Sequence, residues 1–202
     1  MVVTVDTPEG VRSAGTVCEV VGREVVDPIY GPGGSNAKLT GEALELQIPG
    51  RGSLFALGGL AHPTGGRDDL AYMAIKTLDP AFTGNSFESA QRLADAQRDA
   101  QPRPVAPALY PLLVGMKDRE NVDTLQLVDP RDLSGSFGAG VVLSSIAVEL
   151  TDLPVTLGIE NRLAWLKSFE CSLSFPTSDP SGSETRALVE VTSFSTEFRP
   201  WE

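Results

Sequence analysis

Between Val141 and Leu166 the sequence VVLSSIAVELTDLPVTLGIENRLAWL changes its hydrophobic period, and this limits the chain to folds in which a strand feeds a helical return. Ile146, Val148 and Leu150 alternate with Ser145, Ala147 and Glu149, the period of a strand with one buried face and one wetter face. After the break at Asp152-Leu153-Pro154, Ile159, Leu163 and Leu166 recur at i, i+4 and i+7. That spacing predicts a short helix lying back on the sheet, with Glu160 and Arg162 turned outward and Trp165 at the sheet margin.

The flanking sequence supplies mostly strand patterns. Val2 to Asp6 and Val11 to Val21 are alternating or β-branched around Thr7-Pro8-Glu9-Gly10, which predicts a hairpin whose second strand contains Cys18. Val26 to Ala37, with two prolines and three glycines, reads as a long loop. Leu39 to Ile48 alternates, and Pro49-Gly50-Arg51-Gly52 turns it into Ser53 to Leu57 as a second hairpin. Successive hairpins favour an antiparallel meander over a parallel α/β sheet. A glycine-rich connection from Gly58 to Gly66 leads to a helix starting near Asp68, with Leu70, Met73, Ala74 and Thr77 inward and its end at Asp79-Pro80.

Asn85, with Glu88 three residues on, caps a second and mostly polar helix running to Ala100. Together with the proline-rich segment up to Pro107 it is expected as an outside excursion over residues 85–107. Leu109 to Met116 predicts an edge strand or one begun after Pro111, and Thr124 to Val128 another short strand. Asp129-Pro130 should start a brief helix over Arg131 to Phe137, closed by Gly138 or Gly140. Phe169 to Phe175 and Arg186 to Phe198 predict a C-terminal hairpin turning at Pro176 to Gly182, with Leu188, Val191, Phe194 and Phe198 available for a core. The expected architecture is a β-rich α+β domain over residues 1–202, a mainly antiparallel sheet with three or four short helices on one face or at one end.

A chain of 202 residues with 41% hydrophobic residues supports one substantial core. Its formal net charge of -11 repels phosphate backbones and anionic bilayers, so nucleic acid is not an expected partner. No apolar run is long enough to span a bilayer as a helix.

Chemistry-bearing residues are sparse. His62 is the single histidine, which excludes mechanisms needing two imidazoles. With Asp68 or Asp69 as an orienting carboxylate it forms a candidate base, but no serine lies in a G-x-S-x-G frame. The glycine-rich stretches at Gly31 to Gly34 and Gly58-Gly59 lack a P-loop lysine or a dinucleotide fingerprint and read as turns. Asp118 and Asp123, in a polar loop, are weak calcium candidates without EF-hand spacing, as is the stretch Ser178 to Glu184. Phe198, Arg199 and Trp201 have the composition of an interface hot spot, against which stands fraying of a chain end. Cys18 and Cys171 either pair in an oxidising compartment or stay as buried thiols.

The opening VTVDTPEGVRSAGTVCEV, the central YPLLVGMKDRENVDTLQLVDPRDLSGSFGAGVVLSSIAVELTD and the following LPVTLGIENRLAWL resemble a family of uncharacterised bacterial envelope or lipoprotein-like proteins. Many of these carry a lipoprotein-type or other export signal ahead of the first strand. The resemblance covers most of the chain outside the polar helix and the C-terminal hairpin. It implies a periplasmic or envelope address for a longer precursor. This sequence lacks the signal and the lipid-accepting cysteine of that pattern, since no apolar signal region precedes Cys18.

The expected function is a non-enzymatic binding or structural module of the bacterial cell envelope that holds a protein or other envelope partner through loops or a sheet edge. The alternative is a small-molecule binding protein or hydrolase with a site near His62, between the loops Ala61 to Asp69 and Asp118 to Asp123. A third reading is a cytoplasmic or phage-related protein with reduced thiols. No cofactor is implied.

Overall fold

A computed structural model describes residues 1–27, 31–60, 70–96, 101–168, 172–178, 184–190 and Phe194. Strand β1, Val2–Thr7, pairs with β2, Gly10–Gly15, through the expected turn. β2 stops at Gly15, however. Thr16 to Cys18 form a link, so Cys18 lies between strands and not within one. The expected loop from Val26 is a correction as well: β3, Glu19–Asp27, pairs with β4, Gly31–Thr40, in a long antiparallel hairpin with a bulge at Val25/Val26. Pairing with an alternating partner overrides the poor intrinsic strand tendency of Gly31 to Gly34.

β5, Leu44–Ile48, and β6, Gly52–Leu60, form the next hairpin. After helix α1, Leu70–Leu78, and helix α2, Ser86–Asp95, the proline-rich segment contributes β7, Arg103–Pro104. β8, Pro111–Met116, begins at its proline but lies inside a sheet, between β6 and β9, Leu125–Leu127. Helix α3, Leu133–Phe137, is capped by Asp132, whose Oδ1 accepts from the Gly135 amide at 3.1 Å. Asp129 instead closes the preceding turn by accepting from the Arg131 amide, so the cap falls three residues later than expected; Gly138 ends the helix. β10 is Val142–Val148, and the C-terminal hairpin is β11, Ser172–Ser178, with β12, Glu184–Glu190. β11 runs through Pro176, where a turn was expected.

Two four-stranded antiparallel sheets, β2-β1-β10-β7 and β5-β6-β8-β9, share a core. One contributes Val3, Val5, Ile146 and Val148; the other contributes Leu44, Leu46, Ile48, Leu54, Ala56 and Leu113. Each such valine, leucine or isoleucine is worth about 1.5–3 kcal/mol when fully buried. α1 closes the core with Leu70, Ala71, Met73 and Leu78, and α3 with Leu133 and Phe137. Ala74 and Thr77 are only half-buried; Ala71, Ile75 and Leu78 take the inward places instead. The fold is therefore β-rich, mainly antiparallel, with three short α-helices among the described residues.

The second sheet is covered on its other face too. Phe55, Leu57, Val114 and Met116 meet Ile159, Leu163, Trp165, Leu166 and Phe194. The stripe expected after β10 is thus buried as expected, but on two short 3-10 turns, Ile159–Asn161 and Ala164–Ser168, and not on a helix. Trp165 sits within this layer, not at a margin: its Nε1 donates to the Arg119 carbonyl at 2.8 Å and its ring meets Phe194 edge-on at 5.6 Å. Arg162 is exposed, as expected, but its guanidinium reaches back to Glu42, whose carboxylate is 1% exposed, at 2.5 Å, while the other Glu42 oxygen accepts from the Ile159 amide at 2.6 Å. These tertiary partners outweigh the helical tendency of the segment.

Candidate functional site

The polar helix α2 lies on the outside, as expected, with Ser89 its buried residue. Asn85 caps it as expected, its Oδ1 accepting from the Phe87 and Glu88 amides at 3.1 Å, and the Ser86 amide donates to Ser35 Oγ of β4 at 2.7 Å. It lies on the β3–β4 hairpin at Gly22, where a Cβ would stand 2.6 Å from the Ser86 carbonyl and 2.7 Å from Ala90 Cβ. Only glycine permits that approach.

Asp79 ties α2 to the end of α1. Its Oδ2 accepts from Ser89 Oγ at 2.5 Å and from Arg92 at 2.7 and 3.2 Å, and its Oδ1 accepts from the Ala81 amide at 3.0 Å. The Arg92 guanidinium, then the Ser89 hydroxyl and the Ala81 amide, hold this carboxyl below the usual aspartate range against the opposing effect of burial. The proline-rich segment returns to the sheet: β7 pairs Pro104 with Ala147 and Arg103 with Val148, and the Val105 amide donates to the Ile146 carbonyl at 2.9 Å.

These ties leave a cleft of about 530 Å³ between α1, α2, the start of β3 and the chain leaving β10. Its floor is apolar, from Leu39, Leu70, Met73, Leu78 and Val148, and Leu93, Leu150 and Val155 continue it upward. Glu19, Glu149 and Asp152 stand among its lining residues, as does Met1, whose terminal ammonium donates to the Thr16 carbonyl at 2.9 Å. The link Thr16 to Cys18 forms one wall. Thr16 Oγ1 donates to the Glu42 carbonyl at 3.0 Å, and Val17 exchanges two 2.9 Å hydrogen bonds with Thr156. Cys18 is a free thiol in this wall, packed so closely on Gly41 (φ 150°) that a Cβ there would stand 2.6 Å from its sulfur. Burial pushes the Cys18 thiol above its usual pKa, the reverse of what an activated nucleophile needs.

A second depression, about 1040 Å³, is lined by polar turns around Arg51. The Arg51 guanidinium is already engaged, donating to the Phe137 carbonyl at 2.9 Å and pairing with Glu9 at 3.3 Å.

Of the candidate residues singled out in the sequence, Cys18 lines the cleft. His62, Asp68 and Asp69 lie outside the described residues, as do Cys171, Phe198, Arg199 and Trp201. Asp118 and Asp123 are exposed on a loop that closes on itself: Asp118 Oδ1 accepts from the Glu120 amide at 2.9 Å, and Asn121 Oδ1 accepts from the Asp123 amide at 3.0 Å. Among the described residues no three His, Cys, Asp or Glu side chains gather to hold a metal ion. Asp79 and Glu42 went unread. Glu42 had a signal, since it shares the parity of Leu44, Leu46 and Ile48 and so falls on the buried face of that stretch. No family model, curated protein or solved structure matches the chain at a significant level.

Proposed function

We propose that this chain is a non-enzymatic binding module, that the cleft between α1, α2 and the end of β10 is its binding site, and that it serves the bacterial cell envelope. The observation that carries the reading is the cleft itself. Its volume falls in the range of about 300–1,000 Å³ usual for small-molecule sites, and an apolar floor with a few polar groups at its edge is the composition of such sites. The raised pKa of Cys18 favours holding a ligand over attacking one. The envelope address rests on the resemblance of the opening and central stretches to envelope proteins. No described helix is long and apolar enough to cross a membrane.

The test is a native mass spectrum of protein gently recovered from its source cells, taken beside the Ala74→Trp variant, which places an indole in the cleft. The reading predicts an added mass of small-molecule size that the variant has lost. A clean protein mass in both, or an adduct that survives Ala74→Trp unchanged, contradicts it.

A further inference from the structure

We infer that residues 149–155 form a strap that closes over an aliphatic ligand in the cleft, with Leu153 as the side chain that seals it; the inference rests on the cleft being the binding site. The strap has two anchors. At one end Val148 is held in β10 by its pairing with Arg103, and at the other Thr156 exchanges two 2.9 Å hydrogen bonds with Val17. Between them, Asp152 apart, the described residues show no backbone hydrogen bond from the strap to another element. A segment tied only at its ends moves at low cost. Leu153 sits where that movement counts. At 66% it is the most exposed of the large apolar side chains among the described residues, yet it lines the cleft together with Leu150 and Val155. The Thr151 hydroxyl accepts from the Leu153 amide at 3.2 Å and Pro154 follows with its φ fixed, a turn that presents the leucine outward. An aliphatic chain laid along the floor of Leu70, Met73, Leu78 and Val148 offers Leu153 an apolar surface to close on, and its exposed area then leaves water. What the cleft leaves unsatisfied is apolar area: the Met1 ammonium already donates to the Thr16 carbonyl and stands by Glu149, and Asp152 is already engaged.

Calorimetric titration of the full chain with decanol, in the parent and in two leucine variants, tests the strap. Leu153→Ala should bind decanol about tenfold more weakly, since most of the side chain that leaves water on closure is gone. Leu157→Ala is the control. Leu157 is 48% exposed but lies past the Thr156 anchor and outside the lining, so its loss should leave the affinity unchanged. Both leucines are exposed, so both variants fold. Leu153→Trp reports the movement itself: its fluorescence should shift to the blue as decanol is added, because the indole passes from water into the closed cleft. If Leu153→Ala binds as tightly as the parent, if Leu157→Ala costs as much as Leu153→Ala, or if the emission of Leu153→Trp stays unshifted at saturation, the strap is overturned, while loss of decanol in Ala74→Trp still upholds the cleft as the site. If the parent does not bind decanol, or Ala74→Trp binds it as well as the parent, the cleft is not the site and both readings fall.

Discussion

Glu42 and Arg162 are the most consequential pair of residues in the molecule. The Glu42 carboxylate is almost wholly buried, and it reaches across 117 residues to the Ile159 amide and 120 to the Arg162 guanidinium, locking the second core layer onto the start of β5. Removing one partner of a buried ion pair leaves an uncompensated charge, which costs about 3–5 kcal/mol. Arg162→Met should therefore lower stability by about 3 kcal/mol in urea titration, while Glu45→Gln, whose contact with Arg162 is longer at 3.5 Å, should cost under about 1 kcal/mol. Equal costs would mean that Arg162 serves both carboxylates alike. Asp79 makes a pH-dependent contribution of definite sign. Its folded pKa lies below the ordinary value, so on acidification the unfolded chain takes up the proton first. Its stabilisation is complete above the ordinary aspartate range and drains away as the pH falls through the depressed folded value. Asp79→Asn should be less stable than the parent at neutral pH, and the two should converge under strong acid; a gap that persists there contradicts this role.

Among elements, those announced by local chemistry were legible in the sequence and those made by tertiary partners were not. Asn85 with Glu88, the Pro49 to Gly52 turn and the alternation in Val142–Val148 each carry their own instruction, and each element stands where that instruction puts it. β4 does not: its glycines become strand only because β3 lies opposite, and the composition of Val26 to Ala37 taken by itself is that of a loop. The Ile159 to Leu166 segment shows the intermediate case. Its apolar spacing gave the buried face correctly, but Glu42 and the Arg119 carbonyl, both distant in sequence, set its backbone. The cleft was illegible for the same reason, since six separated stretches of chain line it and, of its residues, only Cys18 had been weighed for chemistry. The place of α2 depends on Gly22. Gly22→Ala should push the helix off the hairpin and destabilise the protein by about 1–3 kcal/mol through overpacking, whereas Gly34→Ala, with open space at its Cβ but φ at 139°, tests backbone strain alone. If Gly22→Ala is silent in thermal unfolding, α2 is not seated as described.

For the molecule as a whole, two sheets and the layer behind them complete the core, and α1 and α2 meet beside it with a gap between them. The apolar floor of that gap is continuous with the shared core, through Leu70, Met73, Leu78 and Val148. A ligand seated there would extend the core to the surface and tie the two helices to the sheets. The decisive measurement is methyl-resolved NMR of the intact protein with decanol, an uncharged single-chain probe. The account predicts intermolecular contacts from the chain of the probe to Met73, Leu93 and Leu150. Contacts confined to the exposed Val11 and Val142 face, or to the depression around Arg51, would contradict it.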